Sequence, residues 1–201
     1  LGKTASYGLD CSENATAVTD PLNFTTSYAY NGLQSSTSLI DPNGHVTTFG
    51  YDSLNRPISR TTPDGTSSAY SYTADSGVSQ ITLPSGANKT STYDGYGRTL
   101  TGTTPEKTIT YSYDVDNNIT QVQETTGSTT RTSTATYDGV DRLASYTDWE
   151  GRTVSRTYDA RNLLVTVTAP DGVVTTNSYD NAERLIKVQM GTASVQYTYG
   201  G

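Results

Sequence analysis

The chain has 201 residues, of which 32% are hydrophobic and only 16% charged, and its formal net charge is −7. Low charge excludes the usual charge-rich disordered class, and with no basic stripe to neutralise phosphates nucleic acid is excluded as a partner. No apolar run approaches the roughly 20 residues a membrane span needs, and the lone Cys11 cannot close an internal disulfide. The shortage of aliphatic residues is offset by 16 Tyr, each with a large apolar ring and a polar tip. The length suits one large all-β domain or two small ones. The opening "LGKTASYGLD", without an initiator Met, reads as an internal fragment or processed product.

In chain order, Leu9-Asp10 opens a degenerate first unit, and Tyr28 and Tyr30 then share one strand face. Pro42-Asn43-Gly44 marks a turn, after which Phe49 and Tyr51 share a face and Tyr51-Asp52 marks the next turn. The same sentence repeats through Pro63-Asp64-Gly65, Tyr70 and Tyr72, Pro84-Ser85-Gly86 and Tyr93-Asp94. Pro105 keeps the Pro and loses the Gly, and Ile109, Tyr111 and Tyr113 lead into Asp114. Tyr137-Asp138, Asp148-Trp149-Glu150-Gly151, Tyr158-Asp159, Pro170-Asp171-Gly172, Tyr179-Asp180 and the strand Val195, Tyr197, Tyr199 complete the series. From Tyr30 to Tyr199 the spacings are 21, 21, 21, 20, 24, 21, 21 and 20. Such a period identifies a repeat array. The longer interval carries extra residues near "ETTGSTTRTS", expected in a turn, where added length costs little.

Period-two alternation assigns the Tyr segments to strands, with Thr48, Ser71, Thr110, Ser112 and Thr198 on the opposite face. Leu143, Leu164 to Val167 and Leu185 to Val188 supply the strands that leave the turns. Nothing reads as a helix. The fold class is all-β: two strands and two turns per ~21-residue unit, meandering antiparallel. Two kinds of turn are expected. Asp52, Asp94, Asp114, Asp138, Asp159 and Asp180 accept from a backbone N–H two residues on, while Gly44, Gly65, Gly86, Gly151 and Gly172 supply positive φ after a turn-opening Pro or its equivalent. Arg56, Arg98, Arg142 and Arg184 follow four residues after their Asp and bridge the turn; Arg161 sits early, so its turn departs from the usual one and its bridge is left open.

Tyr-Asp-x-x-Gly/Asn-Arg followed by Pro-x-Gly, as in "YDGYGRTLTGTTPEK", "YDSLNRPISRTTPDG" and "YDNAERLIKVQ", resembles the RHS or YD repeat family. The resemblance covers all of residues 1–201 as a single array of about nine to ten repeats. It implies a spiralling antiparallel sheet, part of a hollow shell or an open, stacked β-solenoid. It implies a secreted or cell-surface bacterial protein whose shell encloses or displays a toxin or effector. The autoprotease core and toxin domain of toxin members have no counterpart here.

Chemistry has few candidates. His45 lies beside a turn with no nucleophile motif near it, and Asp114-Val115-Asp116 lacks the later ligands of a calcium loop. No catalytic residue, metal site or cofactor is expected, and the chain is not read as an enzyme. The binding candidates are the aromatic rows Tyr70, Tyr72, Tyr111, Tyr113, Tyr197 and Tyr199 and the turn residue Trp149, which would stack on a glycan. Packing within a thin sheet is the competing role for these rings. The partners expected are further repeats of the same chain or identical copies joined at strand edges, an enclosed toxin domain and a glycan, with no nucleic acid and no membrane insertion. A copy-to-copy edge contact that does not close would give a filament.

Overall fold

The structure, a computed structural model, describes residues 4–200. The chain divides into two compact units, one ending at Pro105 and one beginning at Glu106. The first holds β1 (Ser6–Leu9), β2 (Ala15–Thr19), β3 (Thr25–Tyr30), β4 (Ser36–Ile40), β5 (Val46–Tyr51), β6 (Pro57–Thr61), β7 (Ser67–Tyr72), β8 (Val78–Thr82), β9 (Asn88–Tyr93) and β10 (Thr99–Thr103). The second holds β11 (Thr108–Tyr113), β12 (Ile119–Thr126), β13 (Thr129–Tyr137), β14 (Leu143–Thr147), β15 (Thr153–Tyr158), β16 (Leu164–Thr168), β17 (Val174–Tyr179), β18 (Leu185–Met190) and β19 (Ala193–Gln196). Within each unit every strand pairs antiparallel with the next in sequence. There is no helix among the described residues.

One five-residue turn serves both ends of the hairpins. In Asp52–Arg56 the Asp52 N–H donates to the Arg56 carbonyl, and the Asn55 N–H donates to the Asp52 carbonyl. In Asp41–His45 the same two bonds run from Asp41 to His45 and from Gly44 to Asp41. The fourth residue has positive φ in both, +60° at Asn55 and +81° at Gly44. The two kinds of turn expected from sequence are therefore one, its fourth position held by Gly or Asn, which tolerate the left-handed region best, in many copies and by Glu13, Gln34, Ser76, Asp141 or Glu183 in others. The Pro merely presets φ at its second position.

What separates the two ends is register. At the Pro–Gly end the ladder runs straight: Ser38 faces Thr48, Leu39 faces Thr47, Ile40 faces Val46. At the Tyr end a bulge intervenes, with Gly50 facing Ser59 but Tyr51 facing Pro57. One extra residue per repeat is how a unit of odd length keeps its tyrosines on one face; a one-residue slip would flip them. Continuing the ladder through β6 and β7 brings Ala69 level with Gly50, whose counterpart one repeat on, Ser71, lies two residues further along. Each repeat is thus staggered by ~7 Å along the strand.

Two departures from expectation appear in the second unit. The extra residues near "ETTGSTTRTS" lengthen strands and do not enlarge a turn. β12 and β13 add the pairs Glu124–Arg131, Thr125–Thr130 and Thr126–Thr129, closed by a two-residue loop. Gly127, at φ +57°, occupies the first loop position, where two-residue hairpins need positive φ. The alternating Thr, Gln and Arg of this stretch suit a pleated surface, and pairing there stabilises more than an open loop would. At the end of the chain, β19 stops at Gln196, short of the expected strand through Tyr199. It ladders only with β18, although the Tyr197 N–H still donates to Ile186.

No side chain among the described residues is fully buried. The accessible surface is 13105 Å², against roughly 9,200 Å² for a compact monomer of this mass. Stability therefore comes from neighbour-to-neighbour terms along the ladder, each worth about 0.2–1 kcal/mol per cross-strand pair. One face carries Tyr and aliphatic side chains. The other carries hydroxyl pairs across adjacent strands: Thr92–Thr101 at 2.7 Å, Thr136–Ser145 at 2.7 Å, Thr157–Thr166 at 2.6 Å and Thr147–Thr153 at 2.8 Å.

Candidate functional site: the tyrosine face and the groove at Trp149

Each bulge exposes a backbone carbonyl, and the tyrosine of the following repeat takes it. Tyr51 donates its hydroxyl to Ser36 at 2.8 Å, Tyr72 to Pro57 at 2.6 Å, Tyr93 to Val78 at 2.9 Å and Tyr158 to Leu143 at 3.0 Å. Tyr179 reaches Leu164 at 2.9 Å and Tyr199 reaches Leu185 at 2.8 Å. The two-residue stagger carries each ring past the end of the preceding strand, which is why it meets the bulge.

The turn arginines fix the same junction from the other side. The Arg56 guanidinium is held by the Asp52 carboxylate at 2.7 Å and lies 4.4 Å from the centroid of the Tyr72 ring. It also donates to the Ser76 hydroxyl in the next YD turn, at 3.1 Å. Arg142 repeats this with Asp138 at 2.6 Å, the Tyr158 ring at 4.5 Å and Asn162 at 2.8 Å. The bridge assigned from sequence to one turn is thus a clasp between two repeats. Arg161 keeps it despite its early position: it pairs with Asp159 at 3.0 Å and donates to the Asp180 carbonyl at 3.2 Å. A long side chain reaches the same neighbour from two positions away, which answers the question its position left open.

The turn aspartates are occupied by their own turns. Asp52 accepts the Arg56 N–H at 2.9 Å and the Leu54 N–H at 3.0 Å. The Arg56 backbone bond, outweighing partial desolvation with help from its side chain, holds the Asp52 carboxyl below the ordinary aspartate value. For Asp138 the Arg142 side chain is the leading cause of the same lowering. Asp41 is lowered by the His45 N–H and then by the His45 ring, whose Nδ1 lies 2.8 Å from Asp41. Asp114 spends Oδ1 on the N–H groups of Asp116 and Asn118. No group of three His, Cys, Asp or Glu that could hold a metal occurs among the described residues.

Of the aromatic candidates, Tyr70, Tyr72, Tyr111 and Tyr113 are half-buried in the sheet, whereas Tyr197, Tyr199 and Trp149 are exposed. Tyr72 and Tyr199 are also claimed by clasps. Trp149 is different. It occupies the Pro position of its turn and flanks a groove of about 250 Å³ with Val122, Glu124, Arg131 and Ser133. Its ring lies 5.6 Å from the Arg131 guanidinium, and Glu124 pairs with Lys107 at 2.6 Å. Glu124, Arg131 and Lys107 were not singled out by sequence; the 24-residue spacing was the signal that could have found them.

A family model described as RHS Repeat matches residues 37–67 and 158–195, each stretch running through a complete YD turn. These two stretches match RHS repeats. Its fold is shared with solved structures of toxin complexes. The TcdB2-TccC3-Cdc42 crystal structure aligns with a TM-score of 0.59 at 13% identity, over 98% of this chain and 13% of that one. TcdB2-TccC3 without its hypervariable C-terminal region gives 0.56 at 13% identity, again over 98% and 13%. The Photorhabdus luminescens Tc holotoxin pore with mutated TccC3 gives 0.54 at 13% identity and the same coverage. The chain therefore spans about one eighth of the length of the chains it matches. A comparison with curated proteins yields no match.

Proposed function

We propose that this RHS array, a single run of repeats through both compact units, is a wall segment of a larger secreted or cell-surface bacterial shell that encloses or displays a toxin or effector. One observation carries the reading: within each compact unit the strands form a single-layer ladder in which no described side chain is fully buried, so the repeats make surface and not a pocketed core. Each repeat contacts only its neighbours, so length is added without enlarging a core. Further repeats of the same chain, or copies meeting at strand edges, are its immediate partners, and an enclosed toxin domain its cargo. The reading assigns no catalysis and no cofactor, since the turn carboxylates are committed to their own backbone. Fold likeness to toxin-complex chains supports the architecture.

Protease protection of the parent gene product tests it. Intact product should yield a resistant repeat shell together with a retained non-repeat segment that is digested once the shell is opened by denaturant. Digestion of that segment at the same rate before and after opening would contradict enclosure.

A further inference from the structure

The tyrosine face of the second unit is interrupted. Two residues before the turn tyrosine the repeat sets a ring, at Tyr28, Phe49, Tyr70, Tyr111 and Tyr197, with Ser91 an isolated exception. Three successive copies depart together, placing Ala135, Arg156 and Asn177 there. Where Ala135 omits its ring, a hollow of about 180 Å³ opens between Val122, Tyr137, Leu143 and Tyr146. Ala135 faces Tyr146, Tyr146 faces Val154, and Arg156 lies two residues further along β15. Two strands and two residues place Arg156 about 12 Å from Ala135 on the same face.

Arg156 has no employment in the fold. Arg56, Arg98, Arg142, Arg152, Arg161 and Arg184 each hold a turn aspartate. Asn177, in the next copy, gives its amide to the Leu164 carbonyl at 3.0 Å. The Arg156 Nη1 is shielded from solvent and meets no acceptor, and among the described residues no carboxylate pairs with its guanidinium. Val167 faces it across the ladder, and Val154 and Tyr158 flank it on its own strand. A cation held among apolar side chains without a counter-ion costs stability, and an unsatisfied donor of this kind calls for an acceptor from outside the fold.

We propose that this part of the tyrosine face docks an extended peptide segment bearing an apolar side chain and a carboxylate. The apolar side chain fills the hollow at Ala135, in place of the ring that the repeat omits. The carboxylate takes the Arg156 fork, a planar donor set suited to bidentate binding. In an extended chain, residues four apart point to one side about 13 Å from each other, which matches the separation of hollow and fork. Charge argues against a second copy as the occupant. Glu124 is the one acid in any described strand, and Lys107 already holds it at 2.6 Å. The site stands independently of whether the array closes into a shell.

The probe is a dye-labelled, blocked peptide with Phe and Glu four residues apart and Thr elsewhere, compared with the same peptide carrying Gln for Glu. Fluorescence anisotropy follows each as the 201-residue chain is added. Saturable binding is expected, with the Glu peptide about tenfold tighter than the Gln peptide. Arg156→Met should make the two peptides equal and unfold at no lower a temperature than the parent, since it removes an unpaired charge and keeps an apolar stem. Ala135→Tyr should fill the hollow and abolish binding of both. Raising salt on the parent chain reads the same contact without a variant, weakening the Glu peptide and sparing the Gln peptide. No saturable binding, equal affinities in the parent, or a preference that survives Arg156→Met or high salt would overturn the assignment. A lowered midpoint in Arg156→Met would put the guanidinium in the service of the fold and overturn it too. So would concentration-dependent sedimentation of the parent that Arg156→Met abolishes, which would give the face to a second copy.

Discussion

The Tyr158 hydroxyl donates to the Leu143 carbonyl at 3.0 Å, a step of fifteen residues that joins one repeat to the one before. The accepting carbonyl lies at the bulge, where Leu143 faces Tyr137 out of step with the rest of the ladder. Bulge, stagger and tyrosine are therefore one device.

Tyr158→Phe keeps the ring and removes only the donor. It should cost about 1 kcal/mol of unfolding free energy. Chemical denaturation of the two proteins side by side measures it; no change in midpoint would mean that water serves the Leu143 carbonyl equally well.

Arg142 and Arg152 both hold a turn aspartate, but only Arg142 also reaches the next turn, at Asn162. Arg142→Gln should destabilise the array more than Arg152→Gln. Thermal unfolding of both variants checks the order, and equal losses would reduce the clasp to an ordinary exposed ion pair.

Gly172 and Glu183 occupy the same position in successive turns, with φ of +84° and +63°. No atom lies within 4 Å of a Cβ built on Gly172, so Gly172→Ala tests backbone strain alone and should cost about 1 kcal/mol. Glu183→Gly should gain roughly 0.5–1 kcal/mol, the relieved strain less the added freedom of the unfolded chain. Urea titration separates the two, and same-sign shifts would be inconsistent with a shared left-handed position.

Asp41, Asp52, Asp138 and Asp180 all titrate below the ordinary aspartate value because backbone N–H groups and side-chain partners stabilise their charged forms. A carboxyl with a lowered folded pKa stabilises the fold above its unfolded value of ~3.9 and loses that contribution as pH falls through the folded value. Unfolding temperature should therefore be level from neutral pH to about 5 and fall below about 4. Asp138→Asn should show a shallower acid limb. A decline already under way between neutral pH and 5 would implicate other groups.

The architecture was legible because its determinants are local. Tyr158, Asp159 and Gly172 each encode a strand end or a turn by their own conformational preference, and the period repeats the message. The clasp was not legible, since Tyr158 meets Leu143 only through register, which depends on a bulge that leaves no composition mark. Sequence separated the turns at Asp52 and Asp41 because Asn55 and Gly44 differ chemically, although both serve the same positive φ. The bridge of Arg161 stayed open in the sequence because side-chain reach is not read from spacing. For Trp149, the unusual turn was visible, but Arg131 and Glu124 join it only across the lengthened hairpin.

Electron cryomicroscopy of the intact parent gene product tests the central claim most directly. The account predicts that the strand ladder of this array continues into neighbouring repeats and bounds a hollow that holds a segment with no repeat pattern. An array that stands apart with both faces in solvent, or that packs against a globular domain with no enclosed space, would contradict it.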